Sequence, residues 1–134
     1  DQEIIIEPLI QERNYWDFDG KPWSIMKQQR EELDMSFWQF LEYHPSIETN
    51  TQIIERFEQF ISKHIIDKPH EHILVVSHGS FLRVSISSII QTPRVEINHI
   101  HPLHNAGISI IEYTPGKWLR IVTYNQHLHL LNLT

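Results

Sequence analysis

The segment Ile73-Leu74-Val75-Val76-Ser77-His78-Gly79-Ser80 constrains this chain more than any other. Four consecutive apolar residues run straight into a Ser-His-Gly step. A continuous apolar run of this length predicts a parallel strand buried on both faces. The glycine and the residues after it, Ser80 to Gln91, read as a packed helix. In open α/β sheets, ligands bind beyond the carboxyl ends of the strands. The N–H groups that open the following helix favour an anion there. His78 is therefore expected where a phosphate would rest, with Gly79 letting the backbone come close. The competing reading of the same residues is a turn histidine bonded to a carbonyl.

The rest of the chain supports a layered α/β arrangement. Ile4-Ile5-Ile6 is short and β-branched, so it reads as a strand ended by Pro8. Residues 11–21 form a charged, aromatic loop. Pro22 suits a helix first turn, and residues 23–40 are helix-compatible up to the break at His44-Pro45-Ser46. In residues 49–66, Ile53, Ile54, Phe57, Phe60, Ile61 and Ile65 recur at three- and four-residue steps, one apolar stripe of a helix. Thr49, Asn50 or Thr51 caps its start and Asp67-Lys68-Pro69 stops it. Residues 108–113 and 118–124 are expected strands around the Thr114-Pro115-Gly116 turn, which suits an antiparallel edge hairpin. The order of elements predicts helices packed against a largely parallel sheet, in a single domain over residues 1–134.

Composition narrows the function. The 134 residues carry a formal charge of −6 with histidines neutral, which argues against a nucleic-acid partner and weakly against an anionic membrane. There is no cysteine, so disulfides, thiolate metal sites and cysteine nucleophiles are excluded. The expected compartment is the cytoplasm. Among the ten histidines, His99, His101 and His104 are the best metal candidates; His70/His72 and His127/His129 share the alternate spacing. No carboxylate or cysteine completes a compact set, and no metal or other cofactor is expected. Ser77-His78-Gly79-Ser80 is not the Gly-x-Ser-x-Gly elbow of a serine hydrolase.

A second candidate segment is Leu9-Ile10-Gln11-Glu12-Arg13, followed by Tyr15 and by Phe18-Asp19-Gly20. A carboxyl next to an arginine in an aromatic loop suits acid/base work beside a phosphate. A solvated charged loop is the plainer reading of those residues alone.

Taken in order, the segments resemble the histidine phosphatase superfamily, the phosphoglycerate mutase-like proteins. Val76-Ser77-His78-Gly79 with Phe81-Leu82-Arg83 resembles the segment that carries the second catalytic histidine. Leu9 to Gly20 resembles the leucine–glutamate loop. Pro45, Glu48 and the helix from Thr51 to Ile65 resemble the Pro-Gly-Gly-Glu-Ser lead-in and its helix. His104-Asn105-Ala106 resembles the Pro-Asn-Ala/Cys element, and Tyr124-Asn125 through His129-Leu130 the closing Tyr-Asn-x-x-x-His-Leu.

The resemblance implies a three-layer α/β/α fold with a mostly parallel central sheet, and phosphoryl transfer through a phosphohistidine. It makes Glu12 the general acid/base and His78 the catalytic histidine that holds the phosphoryl oxygens. Arg13, Gly79 and Asn105 become substrate-binding residues, and the partner a small phosphorylated molecule. Phosphate monoester hydrolysis is the expected reaction; the alternatives are a phosphoglycerate mutase-type phosphomutase and an inactive binding module. The oligomeric state is left open. The sequence departs from the pattern in four respects. It has no Arg-His-Gly, the motif of the nucleophilic histidine, and no early-helix arginine of the family. Trp16 stands where glycine is usual, and Ser46-Ile47 replaces the glycine pair. With Asp1 leading at once into Glu3-Ile4-Ile5-Ile6, the expectation is a chain whose N-terminal part lies outside these residues.

Overall fold

The computed structural model describes residues 3–69, 72–93, 96–97, 100, 102–117 and 119–130. Its helices are α1 (Trp23–Glu32), α2 (Phe37–Tyr43), α3 (Asn50–His64) and α4 (Gly79–Ile89). Its strands are β1 (Ile108–Glu112) and β2 (Arg120–Gln126). Short 3₁₀ turns lie at Pro8–Ile10, Trp16–Phe18 and Leu128–Leu130.

α3 forms where the apolar stripe predicts it. Thr49 caps it in a reciprocal box with Gln52, which satisfies two of the N–H groups that a helix start leaves orphaned. Ile53, Phe57 and Phe60 then face Phe81 and Val84 of α4 and Ile97, all buried in one cluster. A second cluster, Phe18, Met26, Phe40, Leu41 and Ile47, holds α1 and α2 to the loop at Phe18. The helical stretch expected over 23–40 is broken into α1 and α2. Asp34 takes a left-handed φ of 52°, a conformation that a short polar side chain tolerates better than most. Ser36 then starts α2 with its own capping box to Gln39.

The expected parallel sheet is not formed by the described residues. Their one sheet is the antiparallel pair β1–β2, matched Ile110 to Thr123 and Glu112 to Arg120. Gly116 supplies the positive φ of the connecting turn. Residues 3–6 and 73–76 form no regular element, and among the described residues no backbone hydrogen bond joins them to a neighbour. Their side chains are also uncovered: Ile4 and Ile6 are each 90% exposed, and Leu74 is 88% exposed. The expectation that residues 73–76 are buried on both faces is therefore corrected. Burial of a strand needs ladder partners on its edges and helices on its faces; here only the side of Val75 packs, against the α3–α4 cluster. Among the described residues, no helix is long and apolar enough to cross a membrane.

Candidate active site

The loop that carries Glu12 is fastened at several points. Arg56, on α3, donates to both oxygens of Glu48 (Nε to Oε1 2.6 Å, Nη2 to Oε2 2.8 Å) and to the Leu9 carbonyl at 2.6 Å. Glu48 in turn accepts from the Asn14 amide and donates its own amide to the Asn14 carbonyl. Arg13 is buried and every nitrogen of its guanidinium is used. Nε donates to Ser80 Oγ at 3.2 Å, Nη1 to the Glu48 carbonyl at 2.6 Å and Nη2 to Asn50 Oδ1 at 2.5 Å. Burial pulls its pKa below the ordinary arginine value, an effect that Tyr15, Glu42 and Glu48 oppose.

Held this way, Glu12 reaches the first turn of α4. Oε1 accepts from the Arg13 amide at 2.8 Å and the Phe81 amide at 2.9 Å, and Oε2 accepts from the Ser80 amide at 3.2 Å. A carboxylate at a helix N-terminus is favoured by both the orphan N–H groups and the helix dipole. His78 occupies the N-cap position of α4 with extended backbone and makes no capping bond through its side chain. Glu12 does that work from another segment.

The sequence-derived residues are thus partly brought together. Glu12 and the His78–Gly79 step meet at the start of α4. The imidazole of His78 is exposed. Arg13 faces inward, committed to Glu48, Asn50 and Ser80, rather than toward solvent. Gly79 has open space where a Cβ would stand, so close approach is not what requires a glycine there. The expectation that the opening amides of α4 are free to receive a phosphate is corrected for Ser80 and Phe81, which Glu12 takes; the Gly79 amide has no acceptor among the described residues.

Asn105 lies on an exposed turn pinned by a residue that the sequence reading did not single out as a site group. Asn125 Oδ1 accepts from the His104 amide at 2.8 Å and its Nδ2 donates to the Pro102 carbonyl at 3.3 Å. Gly107 is required beside it, because an added Cβ would stand 2.6 Å from Asn125 Oδ1. No hydrogen bond or ion pair among the described residues joins Asn105 to Glu12 or His78.

Four further groups were named in the sequence only as a cap or as parts of motifs, not as site groups. These are Asn50, which bonds to Arg13, Tyr15 and Arg83, on which the Glu12 charge acts, and Tyr124, which interacts with Arg83. Burial raises the pKa of Tyr15, whose hydroxyl also bonds to Ser80, and raises that of Tyr124, against which Arg83 acts. Capping residue types drew notice to the start of α3, but nothing local in the sequence links Asn50 to Arg13.

Of the metal candidates, His70, His99 and His101 lie outside the described residues. The His104 ring instead stacks on that of His127, with centroids 3.9 Å apart. Among the described residues there is no group of three or more histidines, cysteines or acids that could hold a metal.

The chain thus mixes helices and strands, and fixes a glutamate at the helix start that follows Ser77-His78. Residues 1–127 match the profile of the Histidine phosphatase superfamily (branch 1), and the chain belongs to that superfamily. No curated protein matches it at significant similarity. Membership carries phosphoryl transfer by histidine as the family's chemistry, with small phosphorylated molecules as its substrates.

Proposed function

We propose that this chain supplies the acid/base and phosphoryl-holding half of a phosphatase that works through a phosphohistidine. The observation that carries the reading is the Glu12 carboxylate held at the first turn of α4, next to His78. In this reading His78 and the Gly79 amide take the transferring phosphoryl oxygens. Glu12 protonates the leaving oxygen and then activates the water that resolves the intermediate. The nucleophile comes from an Arg-His-Gly strand outside the 134 residues. The same strand would pair with the bare segments and complete a mostly parallel three-layer domain.

Glu12-Arg13 is mutase-like and Phe18-Asp19-Gly20 phosphatase-like, and hydrolysis is preferred because the phosphatase branch spans more substrates and tolerates more loop variation. The absence of Arg-His-Gly from the sequence supports a second reading, a binding module that keeps the fold without turnover.

The test compares the 134-residue polypeptide with the protein at its natural length. The short chain should hydrolyse no aryl phosphate; robust turnover by it would overturn the reading. At natural length, His78→Ala should cost at least about 3 kcal/mol of transition-state stabilisation, roughly a hundredfold in rate. Glu12→Gln should slow alkyl phosphates more than aryl phosphates, whose leaving groups need little protonation. EDTA should leave the rate unchanged. No activity at natural length would favour the binding module.

A further inference from the structure

The hydroxyl of Ser77 makes a contact that no backbone ladder accounts for. Its Oγ donates to the Ile10 carbonyl at 2.5 Å, across 67 residues of sequence. Burial alternates along this stretch: Val75 and Ser77 are half-buried, whereas Leu74, Val76 and His78 are exposed. Val75 packs against the α3–α4 cluster. The residue just before His78 is therefore partly covered, and its hydroxyl is committed to the loop that carries Glu12. Among the described residues, no other hydrogen bond ties residues 73–77 to another segment.

The acceptor belongs to the fastened side of the site. Ile10 ends the short turn Pro8–Ile10, two residues before Glu12, and also packs on the α3–α4 cluster. The carbonyls on either side of it, Leu9 and Gln11, both accept from Arg56 Nη1, at 2.6 Å and 3.3 Å. Arg56 is in turn held by both oxygens of Glu48. A hydrogen bond to a carbonyl fixed from both sides passes that position on to Ser77. Beyond His78, the amides of Ser80 and Phe81 donate to Glu12. The His78–Gly79 pair is thus a short span mounted at both ends on the Glu12 loop. An exposed imidazole without bonds takes its place only from the backbone beneath it.

We propose that Ser77 is a positioning residue for phosphoryl transfer: its hydroxyl sets where His78 stands relative to the Glu12 carboxylate, so that both meet one phosphoryl group. This rests on the phosphoryl-transfer reading above. A misplacement of about 1 Å in a reacting constellation costs on the order of a hundredfold in rate. Alanine at this position leaves the upstream end of the span loose, whereas threonine keeps the hydroxyl and the mount. Ser77 touches no substrate in this role, so its loss falls on turnover rather than on binding.

Steady-state kinetics of the protein at natural length, with an aryl phosphate, test this. Ser77→Ala should lower kcat about tenfold or more and leave KM within about twofold. Ser77→Thr should bring kcat back to within about threefold of the unaltered protein. In a His78→Ala background, Ser77→Ala should cost less than about twofold, because no imidazole is left to place. If Ser77→Ala does not fold, Ser77→Cys, whose thiol is only a weak donor, carries the same expectations. A kcat within about twofold of the unaltered protein, with or without a lowered Tm, would reduce Ser77 to a structural bond and overturn the proposal. So would a folded Ser77→Thr that does not recover, or an undiminished loss in the His78→Ala background. Each of these leaves the phosphoryl reading standing. No turnover by the unaltered protein, or a rate indifferent to His78→Ala, overturns both.

Discussion

The two sides of the candidate site are built in opposite ways. On the Glu12 side, a loop, a helix lead-in and two helices are tied by charged hydrogen bonds, with Arg13 buried and Arg56 gripping Glu48. On the His78 side, the imidazole is exposed and the segment before it runs without ladder partners among the described residues. The contrast separates what holds the site in place from what remains available to act. Arg13, with every guanidinium nitrogen bonded, is scaffold, whereas Glu12 is fixed by three amides and is, in the proposed function, also reactive. A group in position with few bonds made is reactive or awaits a partner.

Breaking the bonded side should cost most. Arg13→Met removes the charged donors to Asn50 Oδ1 and the Glu48 carbonyl and disturbs three segments, so urea unfolding should show a loss of about 3–5 kcal/mol. A loss under about 1 kcal/mol would mean that the contrast is not energetic. Thr49→Ala removes the reciprocal cap of α3 and should cost about 1 kcal/mol by the same measurement.

A smaller effect, confined to acid, should come from Glu7. Lys63 at 2.8 Å, then His64 at 2.5 Å and the Leu9 amide hold its pKa down at about 2, against an ordinary 4.5. A folded pKa below the unfolded one means that the stabilisation is present above about 4.5 and is lost as pH falls toward about 2. Glu7→Gln should therefore flatten the stability profile across that window and leave the shape above it unchanged; carboxyl NMR titration reads the pKa directly. On the bare side, His78→Ala should change folding stability by no more than about 0.5 kcal/mol, since an exposed side chain without bonds supports little. A larger loss would move His78 to the scaffold.

The elements that depend on local pattern were legible in the sequence. α3 follows from its stripe and its cap, and the hairpin from its turn. The interruption between α1 and α2 left a weaker trace, because Asp34 reverses the chain without glycine or proline; the Ser36–Gln39 capping spacing was the usable sign. The strand and the burial expected of residues 73–76 are not formed by the described residues, because both depend on neighbours that no local pattern names. His78 was singled out by its place between an apolar run and a helix, Glu12 by its loop, and the resemblance added their expected roles, whereas the capping of α4 by Glu12 joins segments 68 residues apart. Trp16 is a further instance. It stands where the resemblance has glycine and carries a φ of 29°, so the loop keeps the glycine-like backbone while bearing an indole.

The bare run of residues 73–76 has a consequence for handling the 134-residue chain by itself. A hydrophobic segment with unpaired amides and carbonyls is a template for another strand. Leu74-Val75-Val76 lacks charge, proline and glycine, the residues that ordinarily guard such edges. Chains that meet through it would associate edge to edge, and self-assembly would grow with concentration. A lysine at position 74, whose side chain already faces water, would act as a gatekeeper against such aggregates.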